Sequence, residues 1–399
     1  MAAISERRLI GVVAAVQFIN VLDFVMVMPL GPDLSAALGI APSRLGWVTG
    51  SYALAAAVAG LVAARWLDRL DRRVALGLTL AGLMLGTLFG GFAVGLKSLL
   101  FSRLIAGAFG GPATSTALAI LADGIDPQRR GRAMGKVMVA FALASTLGVP
   151  AGLWLAQLWN WRAPFIGVAL LGAGVIALAM VLLPTMRSHL GAGAPGSVST
   201  LLRREVLLSY AMTATVMAAG FSVIPNISAF VQGNLGYPRT SLDEAYFVMG
   251  LVSFALMPVA GRVVDRLGSA FVGTLGSVVL FFVLGVGFAW ARLPVLALFV
   301  AFTVGQVLRN VAYNTLASKV PASEERGRFM SVQSSVQHAA SALGAGFSSL
   351  LLSEGPNGAL EGIPRVAAFA MVLTALLPLL LWRVERGVRR KQALSMISA

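Results

Sequence analysis

The chain contains no cysteine and only two histidines. Disulfide frameworks, thiolate metal sites and cysteine nucleophiles are therefore excluded, and a histidine-built metal centre lacks ligands. Charge is scarce: 12% of the 399 residues are Asp, Glu, Lys or Arg, about half of the roughly 25% usual in soluble domains. There is no Walker A pattern to bind ATP and no recognisable nucleophile–base–acid set. No enzyme and no cofactor or metal is expected. What abounds is apolar: 58% of residues are hydrophobic and the mean hydropathy is +0.84. That excludes disorder and most cytosolic folds. The net charge of +15 sits in short basic clusters between apolar runs, so it reads as a topology signal in a lipid bilayer rather than a nucleic-acid footprint.

A helix needs about 20 apolar residues to cross the hydrocarbon core. Twelve runs qualify, at about 9–30, 46–67, 74–96, 98–121, 134–157, 163–184, 206–230, 245–264, 270–291, 294–318, 329–353 and 364–383; they are called spans 1 to 12. They are too long for strands and lack alternation. With the N-terminus inside, 23 Lys and Arg fall on the inner side and six on the outer. This expects both termini in the cytoplasm. Trp47, Trp66, Trp159, Trp161, Trp290 and Trp382 lie at or beside span ends, where amphipathic rings prefer the interface. Residues 185–205 contain a Gly/Pro/Ser stretch that reads as a flexible linker. It separates 1–184 from 206–399, the latter ending in a short basic tail.

The two halves repeat each other. Arg130, Gly131, Arg132 and Met134 after span 4 meet Arg326, Gly327, Arg328 and Met330 after span 10 at an offset of 196. Pro29 meets Pro225 at the same offset, and Asp68, Arg69 and Leu70 meet Asp265, Arg266 and Leu267 at 197. Duplicated bundles suit a transporter that rocks about a site between them.

Twelve spans, this repeat and the D-R-x-x-R-R segment after span 2 together resemble the major facilitator superfamily. The resemblance implies an all-α membrane fold of two pseudo-symmetric six-helix bundles. In the loop pattern Gly-x-x-x-Asp-Arg-x-Gly-Arg-Arg, Asp68, Arg69, Arg72 and Arg73 match, while Ala64 and Asp71 replace the glycines. The second copy keeps Gly261 and Gly268 around Asp265 and Arg266. Arg103 and Gly107 on span 4, and "LGVPAG" on span 5 with Gly148, Pro150 and Gly152, resemble the twelve-helix drug:proton antiporters. The "GVPAG" and "WRAPF" segments resemble arabinose-efflux-like permeases. The resemblance implies a gating role for the loop motifs, with Asp68 pairing across the halves. It also implies proton transfer at Arg103 and cavity sealing at Gly148, Pro150 and Gly152. A monomer is the family expectation.

Of the 16 acidic residues, Asp23 alone sits deep in a span. A carboxylate in hydrocarbon costs about 2.5–3.5 kcal/mol, and burial favours its neutral form, which suits proton exchange. Arg103 lies at a depth from which its long side chain reaches Asp23 if spans 1 and 4 are adjacent. Gln17 and Asn20 share an arc of the helix with Asp23 and suit either a polar cavity wall or a hydrogen-bonded knot. On span 10, Gln306, Arg309, Asn310, Tyr313 and Asn314 form a polar stripe. Gln337 and His338 follow on span 11. A stripe this polar belongs against protein or water, either as a substrate wall or as interhelical glue. Arg309 suits an anionic or carbonyl group, whereas a lone cavity carboxylate suits a neutral or cationic one.

The sequence thus reads as a proton-coupled exporter of small organic molecules in a bacterial inner membrane, with substrate and protons as its partners. A uniporter or importer of a sugar or organic anion is the alternative. A non-transporting receptor would require domains beyond these short loops.

Overall fold

The computed structural model describes residues 5–67, 69–126, 129–187, 203–291, 293–321, 326–355 and 359–397. The linker segment 188–202 and Asp68 lie outside the described residues.

Span 1 is α1 (Glu6–Met26), a turn, and α2 (Gly31–Leu38). Spans 2 to 4 are α3 (Leu45–Leu67), α4 (Arg72–Gly91) and α5 (Leu96–Gly124). Span 5 is α6 (Arg130–Leu143), a wide turn at Ala144–Gly148, and α7 (Val149–Leu158); span 6 is α8 (Ala163–Leu182). Span 7 is α9 (Arg204–Val223), a tight turn, and α10 (Ile227–Gly233). Span 8 is α11 (Leu242–Leu267), and span 9 is α12 (Ser269–Val283), which ends in a wide turn. Spans 10 and 11 are α13 (Val295–Ser318) and α14 (Arg326–Leu351). A two-residue hairpin pairs Ser353 with Glu361 and Glu354 with Leu360 before span 12, α15 (Ile363–Ile397). Twelve crossings place both termini on one face, here the terminal face; the other is the distal face.

The helix breaks have local causes. Pro29 and Pro225 sit in the turns that interrupt spans 1 and 7, where the missing N–H leaves a ladder position empty. The repeat read from the sequence is thus repeated in shape, and the two short distal helices, α2 and α10, meet each other. In span 5, Pro150 follows the wide turn; it has no N–H for the carbonyl of Thr146, and a π-type turn absorbs the defect. Pro112 and Pro258 stay inside continuous helices.

Ten helices are long and apolar enough to cross a membrane on their own, among the described residues. The remaining two crossings fall short for local reasons. Span 5 is split into two short helices, and α14 carries a run of Ser, Gln and His. Leu170, Leu343, Val372 and Val181 are more than 65% exposed, and a surface this apolar belongs to lipid. Span 12 runs further than the sequence suggests, because the basic tail continues as helix to Ile397. Trp161 lies between the ends of spans 5 and 6 but differs from the other tryptophans in its surroundings. It is buried beneath the Arg162 guanidinium and edge-on to Phe165, while Trp47, Trp159, Trp290 and Trp382 are exposed.

The halves meet along spans 2 and 11 and along spans 5 and 8. Near the distal face the approach is between backbones: a Cβ on Gly46 would lie 2.2 Å from the Ala345 carbonyl oxygen, and one on Gly250 would lie 2.5 Å from Thr146 Cα. Thr146 Oγ1 donates to the Gly250 carbonyl at 3.1 Å. Arg239, at the start of span 8, grips Asp33 of α2 through three hydrogen bonds of 2.8–3.0 Å. The distal face is therefore shut.

Candidate functional site

Asp23 and Arg103 are fully buried, 0% and 1% exposed. Adjacency of α1, α4 and α5 brings them together. Arg103 Nη2 donates to Asp23 Oδ2 at 2.8 Å and Nη1 to Oδ1 at 3.1 Å, with a further bond from Nη2 to the Asp23 carbonyl at 3.3 Å. Thr87 of α4 donates to Asp23 Oδ1 at 2.6 Å. Both carboxylate oxygens are engaged, and the planar fork suits two-point recognition. The Arg103 guanidinium also lies over the Tyr52 ring, 4.7 Å from its centroid.

Asn20 turns out to be a knot rather than an open wall. Its amide donates to the Gly110 carbonyl and to Thr114 Oγ1, both at 2.7 Å, and accepts from the Tyr52 hydroxyl at 3.1 Å. Gly110 allows this, since a Cβ there would lie 2.1 Å from the Tyr52 oxygen. Gln17 is buried one turn away. Sequence reasoning missed Thr87 and Tyr52, because one Thr or Tyr in an apolar run gives no signal until its neighbours are known.

In the other half, Arg309 is 2% exposed. Its Nη2 donates to Gln306 Oε1, one turn back on α13, and its Nε has no hydrogen-bond partner. A Cβ on Gly220 of α9 would lie 3.5 Å from the guanidinium, so Arg309 presses against span 7. Asn310 Oδ1 is buried without a partner, and Asn314 is exposed, donating back to the Asn310 carbonyl. Gln337 donates to the Tyr313 hydroxyl at 3.1 Å. His338 meets Phe24 edge-on, and Phe24 stacks on Phe221 of span 7. Phe24, beside Asp23, thus joins the two clusters across the halves.

The loop motif is rearranged. Asp71, which replaces a glycine of the family pattern, caps α4: it accepts from the Arg73 N–H at 2.9 Å, from the Met186 N–H at 3.2 Å and from Arg187 Nε at 3.3 Å. Burial pushes its carboxyl up, but these bonds outweigh it and hold the group below the usual carboxylate range. Arg72 pairs with Asp123 at 3.2 Å, and Arg73 donates to the Met180 carbonyl. Arg69, Asp265 and Arg266 are exposed. On span 5, Gly148 packs on Leu22, with a Cβ there 2.7 Å from its methyl, whereas a Cβ on Gly152 would only touch Pro164 Cβ, at 4.0 Å. Pro150 lies at the start of α7.

A family model described as the Major Facilitator Superfamily matches residues 13–345 and, in a second alignment, 213–396. An MFS-type efflux pump of Mycolicibacterium smegmatis is 31% identical over 275 residues, covering 65% of this chain and 62% of that protein. A chloramphenicol resistance protein of Streptomyces lividans is 28% identical over 246 residues, 60% of this chain and 62% of that one. The chain thus matches less than two thirds of the length of these two relatives. A crystal structure of a D-xylose-proton symporter superposes with a TM-score of 0.73 at 15% identity, over 95% of this chain and 97% of that one.

Proposed function

Since the chain belongs to the major facilitator superfamily and is a membrane transporter, we propose that it is a proton-coupled exporter of small organic molecules working by alternating access. The observation that carries this reading is the buried Asp23–Arg103 pair, the one deep carboxylate among the described residues, held by a guanidinium on a neighbouring helix. Protonation of Asp23 removes the charge that holds Arg103, and a proton can bias a two-state carrier only through such a difference between states. Similarity to the MFS-type efflux pump supports the outward direction.

On this reading the moving bodies are residues 1–184 and 206–399, linked by 185–205, and the protein works as a monomer. The terminal face is cytoplasmic, as the basic residues suggest. The shut distal face then corresponds to a state closed to the outside. Gln306, Arg309, Asn310, Tyr313, Asn314, Gln337 and His338 form the substrate wall of the second half; Gln17 and Asn20 brace the first. Asp68, Arg69, Arg72, Arg73, Asp265 and Arg266 form the cytoplasmic gate, and Gly148, Pro150 and Gly152 its seal within the membrane.

The test uses purified protein in liposomes holding a pH-sensitive dye. A pH gradient is imposed, and lipophilic cations, antibiotics and sugars are added in turn. Substrate-dependent proton flux that Asp23→Asn abolishes is the expected result. Substrate flux without proton movement, unchanged in Asp23→Asn, would overturn proton coupling and leave a uniporter.

A further inference from the structure

We infer that the substrate is an organic monoanion with a flat apolar body, its acidic group bound at Arg309; this rests on the reading of the chain as a transporter with its site between the halves. The argument is one of charge. Among the described residues Asp23 is the only deep acid, and its two oxygens are taken by Arg103 and Thr87, so no deep carboxylate among them remains to receive a cation. Arg309 is the converse: a buried guanidinium paired with no carboxylate among the described residues, its Nε without a partner. Among the described residues the core therefore holds one positive charge with no carboxylate opposite it.

An unpaired charge in a dry interior is strongly unfavourable, and an intramembrane ionisable group without a partner marks a ligand pathway. The surroundings indicate the rest of the molecule. Gly220, against Arg309, is followed in sequence by Phe221, which stacks on Phe24 with ring centroids 5.5 Å apart. Gln337, bonded to Tyr313 one turn from Arg309, is followed by His338 on the same Phe24. A guanidinium packed on α9 at Gly220, one residue before the Phe221 that joins Phe24 and His338, suits a flat body carrying an acid.

The assignment has a consequence for energetics. One proton entering for one monoanion leaving moves two positive charges inward. A neutral substrate would move one, and a monocation none.

Binding of 1-naphthoate, 2-naphthalenesulfonate, 1-naphthamide and 2-naphthylmethylammonium would be measured on the full chain in detergent, without any gradient. The two anions are expected to bind at least tenfold more tightly than the amide or the ammonium. Arg309→Gln should erase that preference, and Arg309→Lys should keep part of it. Unliganded Arg309→Gln should melt no lower than wild type, since it removes an unpaired charge; a large loss would reveal a hidden structural partner and overturn the assignment. Equal binding of amide and anions, preference for the ammonium, or no binding of any of the four would do the same. In liposomes, 2-naphthalenesulfonate transport should depend on membrane potential twice as steeply as transport of a neutral compound. Anion binding that persists in Asp23→Asn, with transport no longer coupled to protons, supports both readings. Proton coupling unaffected by Asp23→Asn, with anion preference intact, removes only the coupling role of Asp23.

Discussion

Neutralising Asp33 or Arg239 should open the distal face. The two residues belong to different halves, so their contact exists only while that face is shut, and its whole free energy weighs on one side of the conformational equilibrium. Each side chain is 23% exposed, which places the pair between a surface ion pair, worth about 0.2–1 kcal/mol, and a desolvated fork. Its three bonds of 2.8–3.0 Å put it at about 1–2 kcal/mol. Two weaker contacts at 3.5 Å tie Arg239 to span 5, from its Nη2 to the Leu153 carbonyl and from Gln157 to the Arg239 carbonyl. Asp33→Asn and Arg239→Gln should therefore each raise the ratio of open to shut molecules by about 5–30-fold. Salt at 1 M should act in the same direction, because the Debye length falls to about 3 Å. The exchanged pair, Asp33→Arg with Arg239→Asp, should recover part of the loss. The chain has no cysteine, so spin labels can be attached at Ala37 and Glu361, both exposed, and the distance distribution between them recorded. Arg129→Gln is the control, because its partner Glu6 lies in the same half. A distribution unmoved by either gate variant, or moved equally by the control, would refute the assignment of a gate.

Gly250→Ala places a methyl 2.5 Å from the Thr146 backbone of the opposite half and should open the same face without lowering the melting temperature. Gly107→Ala, whose Cβ would lie 2.1 Å from the Tyr52 carbonyl within one half, should instead cost about 1–3 kcal/mol of stability and leave the label distances unchanged. Arg103→Ala strands Asp23 in a dry interior and should cost about 3–5 kcal/mol, while Asp23→Leu with Arg103→Met recovers most of it; denaturation in detergent reads both. Asp71 is held below the usual carboxylate range, so the unfolded chain takes up its proton first. Its contribution is complete above that usual range and disappears as pH falls through the lower folded-state value. Asp71→Asn should thus cost about 1 kcal/mol at neutral pH, and its melting temperature should converge on that of wild type in acid.

The spans were legible because lipid imposes one length and one composition on every crossing, and the repeat because duplication leaves matched residues at one offset. The run at 329–353 was read as a crossing like the others, although it is the most polar of them and α14 is not among the ten helices apolar enough to cross alone. Asp23 and Arg103 were legible as a pair because charge deep in hydrocarbon has few explanations. Asp33 and Arg239 were not: they stand 206 positions apart, each an ordinary charge near a span end, and only the closing of the halves joins them. Asn20 was ambiguous for a related reason, since an amide that lines a cavity and one that ties helices together look alike until the acceptors are located. Asp71 was passed over as a departure from the loop pattern, although a carboxylate just before a helix is itself a capping signal.

The glycine contacts between spans 2 and 11 bear on how the carrier stops. Where Gly46 meets the Ala345 carbonyl, no long side chain has to be ordered as the faces meet, so little rotamer entropy is lost there. Two backbones in contact are also incompressible on the scale of a methyl group. On the alternating-access reading, closure therefore ends against a hard limit set by the backbones themselves. If the halves rock as proposed, a carrier built this way keeps the same end-point for cargoes of different size.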